Sequence, residues 1–406
     1  MNKQLLLVAY LVVCSLRTFA QDESDAIRMG NQDGFGTARG MALGMAAGSM
    51  GADFSGVSVN PAGLGLYRNS EFVFTPTIQT RSSEGDYLGS NRSAMSLKFN
   101  FSNLGLIVTQ NLKERKQKSY GWRYFNYALG MNRLQSFRNK TVYSGVNRKN
   151  SLTDAFADEF NQMGGLNSNS IAQVSYASFA AYQTWLLDLG QGPDSNLVVS
   201  YVPVGDGIEQ TKTVIEKGGI SEYVVAAGGN YKDRLYLGLT LGIPVLRYNR
   251  NTQFNEEDIS GNNDNDFRYM HFTESLKTEG TGVNLKLGMI YKFHPLFRAG
   301  ISIQTPTHYE LNDLSEISME THTDSLLIRM DPQNSPVSSY QQDSALVFNY
   351  SFNSPYKATG SFCFLFNQYG LITMDLDFIN YRSMRYGYTL DYETEENKIN
   401  EVLKST

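Results

Sequence analysis

Four histidines, His271, His294, His308 and His322, are the only imidazoles in the chain, and their spacing serves no familiar chemistry. A hydrolase carried on a barrel rim would need one of them beside a serine nucleophile and an acid. His308 and His322 fall in a long linking segment where that is geometrically open, but no third group completes either pair. No catalytic set is expected, and the chain is not read as an enzyme. The two cysteines, Cys14 and Cys363, are too few to join these histidines in a Cys/His metal centre. Gly34-Phe35-Gly36-Thr37-Ala38-Arg39-Gly40 has the outline of a dinucleotide-binding loop. Its third glycine comes one position late and no strand precedes it, so that reading is rejected and no cofactor is expected.

The chemistry left is recognition. Lys286, Arg298, Asp375 and Asp377 all fall on the polar side of alternating segments. Charges gathered on one buried face need partners, and Lys286 or Arg298 there is suited to hold a carboxylate. A second set is aromatic. Ser151 and Asp154 form a helix N-terminal signal, followed by Leu152, Ala155, Phe156 and Phe160 at helical spacing. Ile171 to Leu189 reads as a second helix carrying Phe179, Tyr182 and Trp185. The two helices either pack on one another or expose an apolar groove for a greasy ligand.

These residues must be positioned by strands. Leu235, Leu237, Leu239, Leu241, Ile243 and Val245 alternate with Tyr236, Gly238, Thr240, Gly242 and Pro244. Val283 to Phe293, Phe297 to Ile303, Leu346 to Phe352 and Ile372 to Phe378 repeat the period of two. The reading is all-β. Nine strands are expected, over about 71–80, 92–110, 121–138, 220–230, 233–253, 267–293, 296–311, 344–367 and 370–390. Turns such as Lys232-Asp233 and Asn367-Gln368-Tyr369-Gly370 are short, whereas Asn251 to Asp266 and Asp313 to Asp343 are long and polar. Aromatics crowd the strand ends: Trp122, Tyr124, Tyr231, Tyr248, Tyr291, Phe293, Phe366, Tyr369 and Tyr381. That asymmetry favours a transmembrane antiparallel β-barrel over a secreted sandwich. Pro76, Pro244, Pro306 and Pro355 each remove a ladder donor and mark kinks or strand ends.

The bulk composition agrees. Lys3, the apolar run Leu5 to Val13 and Thr18-Phe19-Ala20 read as a secretory signal peptide over 1–20. The chain carries 25 Tyr, 23 Phe and 36 Gly, only 18% charged residues and a net charge of −5. No basic stripe points to nucleic acid. No later apolar run is long enough for a membrane helix.

Residues 21 to 70 lack a strand period and are rich in Gly and Ala, with Gly36, Gly40, Gly44 and Gly48 spaced by four, a pattern that suits a small, closely packed helix. Within them stand Ala38-Arg39-Gly40, Asp53-Phe54-Ser55 and Asn60-Pro61-Ala62-Gly63-Leu64, with a first strand at Glu71. These motifs, with Phe297–Pro306 and Asn353–Phe366, resemble the FadL/TodX family of outer-membrane transporters for long-chain fatty acids and other hydrophobic compounds. The resemblance implies a fourteen-stranded barrel, of which about nine strands are present and the C-terminal ones are missing, Glu393 to Thr406 being loop-like. It implies that 21–70 forms a short helical hatch or plug in the barrel 71–406, with Asn60, Pro61, Ala62 and Gly63 as gate residues. It makes 139–219 a helical extracellular insertion. The expected function is passive uptake of a hydrophobic small molecule such as a fatty acid, by a monomer embedded in outer-membrane lipids. The alternative is a surface receptor for another hydrophobic ligand such as haem.

Overall fold

The computed structural model describes all residues except 1–22, 32–33, 113–119, 191–196, 263–266, 323–338, 342–344, 367–368, 389–392 and 406. The signal peptide expected over 1–20 lies outside the described residues, as do Asn367 and Gln368 of one short turn.

The strands are β1 (Glu71–Tyr87), β2 (Ser90–Asn111), β3 (Trp122–Ser136), β4 (Asn139–Asn147), β5 (Leu187–Leu189), β6 (Val198–Ser200), β7 (Ile208–Tyr231), β8 (Leu235–Asp258), β9 (Tyr269–His294), β10 (Phe297–Gln304), β11 (His308–His322), β12 (Ser339–Gln341), β13 (Leu346–Asn353), β14 (Tyr356–Leu365), β15 (Leu371–Asn380) and β16 (Arg385–Gly387). The helices are α1 (Glu23–Gly30), α2 (Ala38–Ala42), α3 (Leu152–Gln162), α4 (Ser168–Ile171), α5 (Tyr176–Gln183) and α6 (Glu393–Ser405). One antiparallel sheet runs in the order β1-β2-β3-β7-β8-β9-β10-β14-β15 and curls into a half-barrel. Its terminal strands, β1 and β15, do not pair with each other. Among the described residues no helix is long and apolar enough to cross a membrane.

The period of two sorts the faces. On β8, Leu237, Leu239, Leu241 and Ile243 are exposed on the convex side, while Tyr236 and Thr240 are buried on the concave side. β2 does the same, with Leu97, Phe99, Phe101, Leu104 and Leu106 outside and Ser96, Ser102 and Asn103 inside. At the short-turn end of the strands Trp122 contacts Tyr231, and Tyr291, Phe293, Phe297 and Phe364 form a second run of ring contacts. Tyr248, expected among these end aromatics, instead turns inward, with the Arg28 guanidinium 4.3 Å from its ring centroid.

The strands depart from the expected bounds for identifiable reasons. β7, β8 and β9 hold 24, 24 and 26 residues. An apolar band of about 25 Å needs only about ten residues of tilted strand, so more than half of each continues beyond it. Of the expected polar links 251–266 and 313–343, residues 251–258 and 313–322 are therefore strand, because ladder pairing continues where apolar alternation stops, while 263–266, 323–338 and 342–343 lie outside the described residues. β1 and β2 likewise run on to a tight turn at Leu88-Gly89. The expected strands 296–311 and 344–367 each break in two, at Pro306 and at Pro355. There the sheet forks. β9 pairs with β10 through its C-terminal third, Lys286–His294, and with β11 through Tyr269–Val283, and β11 leads on to β13 and β16. Pro76 falls at a register shift against β2, and Pro244 at the one gap in the β8–β9 ladder.

The insertion over 139–219 is not helical throughout. It begins as β4, which pairs with the outer stretch of β7 from Ile208 to Glu216. The second helix expected over 171–189 is instead α4, a break, and α5. Ser175 caps α5, Glu159 accepts from the Ser175 backbone N–H at 2.7 Å, and Trp185 leaves the helix with φ of 63°. The tail expected to be loop-like contains α6, held by the Asn400 amide. That amide donates to Tyr386 O (2.9 Å) and accepts from Tyr386 N (2.8 Å). Nor do Gly36, Gly40, Gly44 and Gly48 share one helix. α2 covers only Ala38–Ala42, and Gly44 leaves it at φ of 62°.

Candidate functional site

The N-terminal segment lies against the concave face of the sheet. Two 3-10 turns build it. Asp53 caps the first, Phe54–Ser58, accepting from Ser55 N (3.0 Å) and from the Thr37 hydroxyl. Asn60 caps the second, Pro61–Leu66, accepting from Ala62 N at 3.0 Å. Pro61 suits that first position because its missing N–H would be unpaired there in any case. The Asn60 Nδ2 donates to Gly48 O at 2.6 Å and lies 3.4 Å from Met289 O on β9 and 3.5 Å from Ile301 O on β10. Asn60, Pro61, Ala62 and Gly63 are all buried. One amide thus links the turn, the preceding loop and two wall strands.

The wall is cut to receive this segment. Gly228, Gly238 and Gly288 stand opposite one another on β7, β8 and β9. A Cβ on them would come within 2.6 Å of Leu64, 2.2 Å of Pro61 and 1.9 Å of Asn60, respectively. Gly105 and Gly130 pair across β2 and β3 under the Phe54 ring, where added Cβ atoms would lie 2.3 and 2.5 Å from ring carbons. Missing side chains let the segment's backbone and one aromatic ring press onto the strands.

Polar side chains of the wall then satisfy the segment's carbonyls. Asn126 Nδ2 donates to Leu64 O (2.6 Å), Thr240 Oγ1 to Val57 O (3.0 Å), Ser302 Oγ to Val59 O (2.8 Å) and Thr373 Oγ1 to Ala46 O (2.8 Å). Asp375 accepts from Gly48 N at 2.9 Å. A 3-10 segment leaves its own carbonyls unpaired at its ends, and burial makes each one costly unless a donor reaches it.

Lys286 is buried in an ion pair with Glu222, both side chains at most 1% exposed. Ser58 Oγ donates to the other Glu222 oxygen (2.6 Å), and Asn284 Nδ2 also donates to this carboxylate (3.1 Å). Arg298 donates to Met50 O at 2.9 Å. Asp377 pairs with Lys357 at 3.0 Å and accepts from Thr359 Oγ1 at 2.6 Å. The four charges singled out in the sequence therefore do not bond to one another. Lys286, Arg298 and Asp375 are bound to the segment or to the residues beneath it.

The aromatic candidates separate. Phe156, Phe160 and Tyr182 come together, with Phe156 edge-on to Phe272 at 5.8 Å and Phe160 at 6.0 Å from Tyr182. Phe160 is fully buried, in a cluster with Ala180, Met270 and Met319. These side chains pack α3 and α5 onto the outer parts of β9 and β11. Phe179 stands apart at 5.7 Å from Tyr340, and Trp185 is half-buried beyond the helix end.

Sequence reasoning gave no role to Glu222, Asn126, Thr240, Ser302 or Asn132, whose Nδ2 donates to Ser58 Oγ at 2.9 Å. For all but Glu222 a signal was present: Asn, Thr or Ser at inward positions of successive strands marks a face that meets backbone as well as side chains.

A half-barrel with an apolar convex face and a concave face covered by the chain's own N-terminal segment belongs to a class compatible with β-barrel proteins of an outer membrane. No protein-family model matches the chain, and neither does any curated protein or any solved structure.

Proposed function

We propose that this chain is an outer-membrane barrel protein of the FadL/TodX type, plugged by its N-terminal segment, that lets hydrophobic small molecules such as long-chain fatty acids cross by passive diffusion. The observation that carries the reading is the opposition of the two faces. The convex side presents large apolar residues on β1, β2 and β8, and the concave side, where polar side chains stand among buried apolar ones such as Ile107, Val224 and Ile290, is covered by the N-terminal segment. In a bilayer that polarity requires lipid outside and a lined interior within. It also requires the edges of β1 and β15 to find partners, because open backbone groups are not tolerated in hydrocarbon.

Apart from its chain connection to β1, the plug is held on the wall by hydrogen bonds and close packing. Ligand binding can shift such contacts by its differential affinity for the seated and unseated states. With Lys286 and Arg298 engaged, a carboxylate head finds its cation in Lys98. That residue lies on the inner side of β2 opposite Gln79, and no ion pair of the described residues involves it.

Uptake of radiolabelled oleate by cells expressing the chain tests the reading. Wild type takes up oleate above an empty-vector control, and Asn60→Ala with Pro61→Gly lowers uptake severalfold while the barrel still migrates in heat-modifiable form. Uptake at the vector level in correctly inserted wild type removes the transport reading. Unchanged uptake in the double variant leaves the Asn60 turn a tether and not a gate.

A further inference from the structure

Beyond the apolar belt, the convex face of β7, β8 and β9 changes character abruptly. The outward positions of β8 run Leu237, Leu239, Leu241, Ile243 and Val245, and the next is Arg247. On β9 they run from Phe293 to Val283 and continue through Thr281 and Glu279 to Lys277; on β7, from Ala227 to Tyr223 and through Ser221 and Gly219 to Lys217. Register aligns them. Gly219, Arg247 and Glu279 form one cross-strand row, and Lys217, Asn249 and Lys277 form the next row out. Lys217 and Lys277 are two strands apart, about 10 Å between backbones, and Arg247 lies about 7 Å below their midpoint. Three long cationic side chains can meet over one small anion at that spacing. Glu279 bonds Lys277 at 2.9 Å and is the one carboxylate in these two rows. Lys217 and Arg247 enter no ion pair among the described residues. A groove of about 400 Å³ lined by Lys217, Asn249, Arg250, Asn251, Lys277 and Glu316 opens beside Lys217 and Lys277, and Arg247 stands one row below it.

We propose that Lys217, Arg247 and Lys277 bind the phosphate of a lipid headgroup in the outer leaflet. The place selects the occupant. The residues continue the same outward face one and two positions past its apolar stretch, so they lie where acyl chains give way to headgroups. They stand at the end of the strands that carries the α3–α5 insertion, opposite the short turns. Arginine pairs with phosphate through two N–H groups, and lysine adds charge without demanding direction. The arrangement anchors the wall's height and tilt in the membrane. This inference rests on the outward face being lipid-facing, but not on transport.

The test uses the full chain in detergent micelles and native mass spectrometry of retained lipid. The probes are a diphosphorylated lipid A, phosphatidylcholine and inorganic phosphate. Wild type retains lipid A at least about tenfold over phosphatidylcholine, and millimolar inorganic phosphate does not displace it. Lys217→Gln with Arg247→Gln and Lys277→Gln abolishes the preference, whereas Arg247→Lys keeps most of it. Equal retention by the triple variant, no preference in wild type, or displacement by inorganic phosphate alone overturns the proposal. Flotation with phosphatidylcholine vesicles separates the two readings. A chain that floats but shows no preference loses only this site. A chain that does not float loses the membrane reading as well.

Discussion

Gly288 lies directly beneath Asn60: a Cβ on Gly288 would stand 1.9 Å from the Asn60 side-chain oxygen. Asn60 in turn caps its own turn and holds Gly48. The position of the whole N-terminal segment on the sheet therefore depends on an atom that the strand lacks. Gly288→Ala is expected to destabilise the folded protein by about 1–3 kcal/mol through overpacking. Gly360→Ala, where nothing lies within 4 Å of the new methyl, serves as the control. Urea titration in vesicles reads both, and equal small shifts would show that the segment is not seated on β9.

The Glu222–Lys286 pair is buried under Ser58. Removing one partner leaves the other charge stranded, so Lys286→Met and Glu222→Leu should each cost about 3–5 kcal/mol. The double variant should recover most of that loss. A double-mutant cycle with additive losses would mean that the two side chains do not interact in the folded protein.

Depth on the convex face sets the cost of charge. Leu239→Arg, in the middle of the apolar stretch, should cost about 2–4 kcal/mol in bilayers, and Gln253→Arg, on the same face far beyond it, about 0–1 kcal/mol. Thr240 is no solvated neighbour for comparison, because its hydroxyl is buried against Val57 O. Similar costs at positions 239 and 253, measured as unfolding free energies in vesicles, would refute a lipid-facing belt.

Glu256 lies some eleven residues past the apolar stretch and caps the insertion. Its carboxylate accepts from Leu152 N (3.0 Å), Gln210 Nε2 (2.7 Å) and Ser151 Oγ. Burial raises its pKa above the ordinary 4.5, more than the hydrogen bonds lower it. An acid whose folded pKa is raised binds its proton more tightly in the folded state. Its effect on stability is then most favourable below the unfolded pKa, declines as pH rises through the window up to the folded pKa, and is level above it. Hydrogen exchange of α3 should show protection declining upward from about pH 4.5 in wild type. Glu256→Gln should flatten that slope. Identical slopes in the two proteins would remove Glu256 as the cause.

The α3 N-terminus was legible beforehand because its signals are local. Ser151 and Asp154 form the capping box within four residues, and Phe156 and Phe160 follow on one face. The alternation on β8 and β9 was equally legible, since the side-chain period of a strand is two wherever the strand sits. Proline positions were informative for the same reason, and Pro306 and Pro355 fall where β10 gives way to β11 and β13 to β14.

What the sequence alone could not determine was partnership. Lys286, Arg298, Asp375 and Asp377 were sorted to the concave face, but parity says nothing about which groups meet them there. Glu222 from β7 claims Lys286, and the carbonyl of Met50 claims Arg298. The glycines at 228, 238 and 288 lie on three strands up to 60 residues apart, and only strand register shows that they line up beneath Pro61 and Asn60. The forking of the sheet at β9 has the same origin. Local pattern determines which side of a strand a residue takes, because that follows from backbone geometry. Ladder register, the curl of the sheet and the seating of the N-terminal segment determine what it meets there, and those come from contacts distant in the chain.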